Sequence, residues 1–72
     1  MLKLDSHNMT DRQRFIADFG RKMMFLAATE KEDVLSNAFA RVGELLAENA
    51  SMKGLTALDH EVVRFARTRL ED

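Results

Sequence analysis

Residues Thr10–Asn49, TDRQRFIADFGRKMMFLAATEKEDVLSNAFARVGELLAEN, decide the fold. The stretch opens on Thr10-Asp11-Arg12-Gln13. This is a capping-box pattern, in which Thr10 accepts from the Gln13 backbone and the Gln13 side chain reaches back. Asp11 adds negative charge at the positive end of the helix dipole. Phe15, Ile16, Phe19, Met23 and Leu26 then recur at helical spacing. They span about 100° of arc, the apolar face of an amphipathic helix. A second capping-box pattern, Thr29-Glu30-Lys31-Glu32, precedes Val34, Leu35, Ala38, Phe39, Val42, Leu45 and Leu46. This second stripe is about 140° wide. On one uninterrupted rod the two stripes would be rotated by roughly 120° from each other. A break near Ala28–Thr29 lets both face one core, so the pattern predicts two helices, over 11–28 and 30–49.

Working outward, Ala50-Ser51-Met52-Lys53-Gly54 reads as a loop, with Gly54 suited to a left-handed turn. Thr56 is placed to cap a third helix, with Asp59 three residues on. Leu58, Val62, Phe65 and Ala66 share a face there, widened by Val63 and Leu70, and the helix is expected over 57–70. Residues 1–9 show no helical period and read as a flexible N-terminal arm, leaving 10–72 as a single helical domain. The expected fold class is all-α: a three-helix bundle, or a helical hairpin plus a third helix, completed by dimerisation.

That last expectation comes from size. A chain of 72 residues has little core, and small scaffolds usually add a disulfide, a metal or a partner chain. There is no Cys, which removes disulfides and thiolate metal sites, and fits a reducing compartment. Two histidines, His7 and His60, are too few for a structural zinc site. The chain is 46% hydrophobic and 32% charged without a single Pro, a balance that suits folded helices rather than disorder. The longest apolar run, Met23–Ala28, is far short of the roughly 20 residues of a membrane span. No apolar run of a signal peptide opens the chain. The expectation is therefore a soluble cytoplasmic protein with no membrane partner.

Catalysis finds little to stand on. Asp59-His60-Glu61 puts carboxylates beside a histidine, but neighbours on a helix point about 100° apart, and the carboxylates suit the helix N-terminus. Gly20, Gly43 and Gly54 are too scattered for a phosphate cradle, and no serine has a nucleophile-elbow context. No catalytic, cofactor or metal residue is assigned, and the protein is expected not to be an enzyme.

The net charge of −1 counts against nucleic acid without excluding it. A helix-turn-helix DNA-binding regulator is the first alternative, with Arg64, Arg67 and Arg69 on the last helix. Asp59 and Glu61 occupy the end that would meet the bases, where they would repel phosphate. By segment, residues 1–28 carry a net +2, residues 29–50 a net −3 and residues 51–72 balance, which suits an antiparallel pairing of the first two helices. Off the first helix's stripe lies Phe25 among Arg14, Asp18 and Arg21, with Met24 beside it. An aromatic ringed by arginine has the composition of an interface hot spot, and Met adds an adaptable contact. Against this stands a plain core role, with a wider apolar face or with Leu2 and Leu4 covering Phe25. The reading reached is a small non-enzymatic interaction or regulatory protein. It is expected to self-associate and to act by binding a partner protein, itself and/or another chain, with Arg14, Arg21, Met24 and Phe25 as the binding residues. A structural subunit of a larger assembly is the second alternative.

Overall fold

The computed structural model describes residues 9–71, so the arm expected over 1–9 lies, but for Met9, outside the described residues. The fold is all-α, with three helices: α1 (Asp11–Thr29), α2 (Asp33–Asn49) and α3 (Ala57–Glu71). The capping box at the start of α1 is formed. Gln13 N–H donates to Thr10 Oγ1 at 3.1 Å, and Thr10 N–H donates to Gln13 Oε1 at 2.8 Å.

The second capping box is not formed, and α2 starts at Asp33 rather than Glu30. Thr29 is the last helical residue of α1, and its hydroxyl donates to the Leu26 carbonyl at 3.1 Å. A cap must sit in extended backbone outside the helix it starts. Thr29 is spent finishing the helix before it, and Glu32, with extended φ and ψ, takes the cap position without a side-chain bond. The break itself falls at Glu30-Lys31-Glu32, just beyond the expected Ala28–Thr29. Ser36 Oγ donates to the Ala27 carbonyl at 2.7 Å, tying the first turn of α2 to the last turn of α1.

α1 and α2 form a hairpin whose midpoint is a glycine crossing. A Cβ built on Gly20 would lie 2.5 Å from the Gly43 carbonyl oxygen and 2.6 Å from the Ala47 nitrogen. One on Gly43 would lie 2.7 Å from the Gly20 oxygen. Both glycines are buried, and the backbones meet where their side chains would have stood. Met23, Phe39, Val42 and Leu46 fill the core around this point and are fully buried.

α2 ends at Ala50 in left-handed backbone, φ 52°, and Gly54 supplies the second left-handed residue, φ 86°. The chain thereby reverses into α3. Thr56 and Asp59 cap that helix as a reciprocal pair: Asp59 N–H donates to Thr56 Oγ1 at 3.1 Å, and Thr56 N–H donates to Asp59 Oδ2 at 3.2 Å. α3 buries Val62, Val63 and Ala66 in the common core. It is clamped at both ends. Arg41 stands 3.8 Å from the buried Asp59, and Arg69 bonds Glu30 while lying 5.9 Å over the Phe39 ring.

Candidate functional site

The apolar stripes read from the sequence are wider than the core. Ile16, Ala17, Gly20 and Met23 are the buried residues of α1, so the true inward face is centred on glycine and alanine. Phe15, expected in the core, is 69% exposed. Val34 on α2 and Leu58 and Phe65 on α3 are likewise exposed, and Leu45 and Leu70 partly so. The glycine crossing explains the shift. Because α1 rolls its smallest residues against α2, its large residues at 15 and 19 are carried to the flank that faces α3.

An open groove runs along that flank. It encloses about 610 Å³ between Arg12, Phe15, Ile16, Phe19 and Lys22 of α1 and Val63, Arg67, Leu70 and Glu71 of α3, with Leu46 and Met52 as its floor. Phe15 and Phe19 stack along one wall, their ring centroids 6.4 Å apart. Beyond Arg12 a second hollow of about 400 Å³, reached past Ile16 and Met52, continues the groove toward Ala50, Ser51 and Lys53. The trough is therefore apolar at its base and lipped by charge. Lys22 pairs with Asp18 at 3.3 Å and Arg67 with Glu71 at 3.7 Å, each one turn away on its own helix. Exposed pairs of this kind are worth a few tenths of a kcal/mol, so both cations remain open to a better partner.

Of the four residues singled out from the sequence, three share one side of α1 and Met24 does not. Phe25 is 77% exposed, and the exposed Arg14 and Arg21 lie on the same outer side of α1 by helical spacing. Arg14 is bonded to Asp11 at 2.7 Å. Met24 turns the other way: its Cγ is 3.1 Å from where a Gly43 Cβ would be, which places it in the hairpin. Phe25 is thus an exposed aromatic among charges, and it does not line the groove. Phe15 and Leu70 were read as core and so were missed as surface, while Phe19 is half-buried against the core. The Gly20 and Gly43 pair was the signal that could have found them, since two small residues at matching depth on paired helices mark a close backbone approach.

Of the arginines that a nucleic-acid interface would use, Arg69 is held on Glu30, while Arg64, 3.9 Å from Glu61, and Arg67, facing Glu71, are in exposed pairs as weak as those along the groove. His60 is exposed on α3, and among the described residues no three His, Cys, Asp or Glu side chains gather to hold a metal. No described helix is long and apolar enough to cross a membrane.

Arg69 has an electrostatic consequence. Its hydrogen bond, helped by the Glu32 backbone N–H at 3.1 Å, holds the Glu30 carboxyl below its ordinary pKa, against a smaller opposing effect of burial. Comparison with known proteins yields no match: no family model, no curated protein and no solved structure matches this chain.

Proposed function

We propose that this is a non-enzymatic interaction protein that receives a segment of another protein in the groove between α1 and α3. The exposed Phe15, stacked on the half-buried Phe19 and lying along the groove with Leu70, carries the reading. Aromatic side chains give a binding surface large contact area at low entropic cost, and they dominate hot spots. A chain this small that leaves Phe15 exposed and Phe19 only half-buried forgoes stabilisation it has few other sources for. A docked segment would recover it, since burying apolar surface contributes about 25 cal/mol per Å². The volume is of the size that takes a few side chains, and helix-in-groove recognition uses this architecture: apolar residues of one helix laid between two others.

A display selection tests this. Amphipathic helical peptides are selected on the wild-type chain and then scored on Phe15→Asp. The expected result is a set of binders that the substitution abolishes while circular dichroism shows the helices intact. An empty selection, or binders indifferent to Phe15→Asp, overturns the reading.

A further inference from the structure

We infer that the segment received in this groove is an amphipathic helix with acidic flanks, belonging to a protein other than this one. The inference rests on the docking reading above and adds the chemistry of the occupant. The cations along the groove and its extension are Arg12, Lys22, Lys53 and Arg67, against two carboxylates, Asp18 beside Lys22 and Glu71 beside Arg67, which leaves an excess of two positive charges. Arg12 forms no ion pair among the described residues. It stands where the two hollows meet, so it commands the middle of the path. The groove follows α1 from Arg12 to Lys22, about 15 Å at 1.5 Å per residue, which matches about three turns of a docked helix. A helix of that length presents apolar residues at i, i+3 or i+4, and i+7 to Phe15, Phe19 and Leu70. Its flanks then fall beside the cations, where Asp and Glu are favoured and Lys and Arg repelled.

Charge also decides against a second copy. Laying groove on groove about a two-fold axis would set Arg12, Lys22 and Arg67 against a like array. The acidic part of this chain is α2, but its large residues Phe39, Val42 and Leu46 are already fully buried. Only its outer residues, such as Val34 and Leu45, remain to offer. Docking that face into the groove of a neighbour would be head-to-tail, which propagates rather than closes into a defined pair.

The experiment is a selection from a library of amphipathic helices in which each flank position is Glu or Lys with equal frequency. Enriched peptides are then measured by fluorescence anisotropy on the full chain. The expected outcome is enrichment of Glu, with binding at least about tenfold tighter for an all-Glu than an all-Lys version of the same peptide. That ratio should shrink as added salt screens the flanks. Arg12→Glu with Arg67→Glu, both exposed positions, should invert the preference. Peptides that depend on Phe15 but enrich Glu and Lys equally would overturn the acidic partner and leave the docking reading standing. If no peptide depends on Phe15, both fall. Sedimentation showing a dimer that Phe15→Asp dissolves would overturn it too, by assigning the groove to a second copy.

Discussion

The contact of α1 with α2 and the gap between α1 and α3 are opposite solutions on two sides of one helix. Against α2, α1 presents Gly20 and brings the backbones together, so closely that a single Cβ at Gly20 would fall 2.5 Å from a carbonyl oxygen. Toward α3 it presents the exposed Phe15 and the half-buried Phe19, and no helix closes over Phe15. The difference shows where a small chain spends its packing. The hairpin takes Met23, Phe39, Val42 and Leu46, while α3 contributes Val62, Val63 and Ala66, small residues held in place by polar clamps at its two ends. A helix attached by one narrow face leaves the opposite flank of its neighbour uncovered. The groove follows from the way the hairpin closes.

Gly20→Ala attacks that closure and should have the largest effect. Helix propensity favours Ala over Gly by about 1 kcal/mol. Overpacking a tight site costs typically about 1–3 kcal/mol and sometimes more. The clashing atoms are backbone, so no rotamer change relieves them, and overpacking wins. The expected result is a net loss of about 2 kcal/mol, read from the urea midpoint. A gain in stability would show that the helices do not touch there in solution.

This glycine pair also marks what the sequence made legible. Three helices, the cap at Thr10, the cap at Thr56 with Asp59, the break before α2 and the left-handed Gly54 were all readable, because each depends on residues within a few positions of one another. The orientation of each helix about its axis was not. Hydrophobic periodicity ranks positions by apolar size, and on α1 it weights Phe15 above Gly20. A close crossing reverses that order, since the smallest residue must face the partner. The same limit produced the failed cap at Thr29: the motif is local, but which helix owns Thr29 is decided by where α1 stops. For the candidate site, the sequence offered Phe25 with Arg14, Arg21 and Met24. The structure separates Met24 from the others and offers instead the neighbouring flank.

Gly54→Ala probes a glycine of the other kind. No atom lies within 4 Å of its added Cβ, so packing is not at issue, but φ is 86°. A non-glycine residue in left-handed backbone costs roughly 1–2 kcal/mol. A loss of about 1 kcal/mol is expected, smaller than at Gly20 and without change in the denaturant slope. If the two losses were equal, the crossing would be no tighter than a turn.

The clamp at the far end of α3 should respond to acid. The Glu30 carboxyl is held below its ordinary pKa chiefly by the Arg69 hydrogen bond. A depressed carboxylate stabilises the folded state at pH values above the unfolded pKa, about 4.3 for Glu, and that contribution is lost as pH falls through the lowered folded value. Protection from hydrogen exchange over the last turns of α3, taken relative to the intrinsic rate at each pH, should therefore fall in that acid window. Arg69→Gln should show low protection there already at neutral pH and a flatter response to acid. Equal acid sensitivity in the two proteins would mean that Glu30 does not hold this end of the helix.

The smallest effect on stability is expected at the most conspicuous residue. Phe15→Ser removes an aromatic ring, a change that costs about 3–5 kcal/mol when the ring is truncated in a core. At a site 69% exposed the cost should stay within about 0.5 kcal/mol, the usual range for surface substitutions. Compared with Gly20→Ala, the deletion of a whole ring should matter less than the addition of one methyl group. That inversion is the sharpest consequence of the two unlike flanks of α1. A loss of 2 kcal/mol or more, by the same core-truncation scale, would instead place Phe15 under cover in solution, with the groove closed over it.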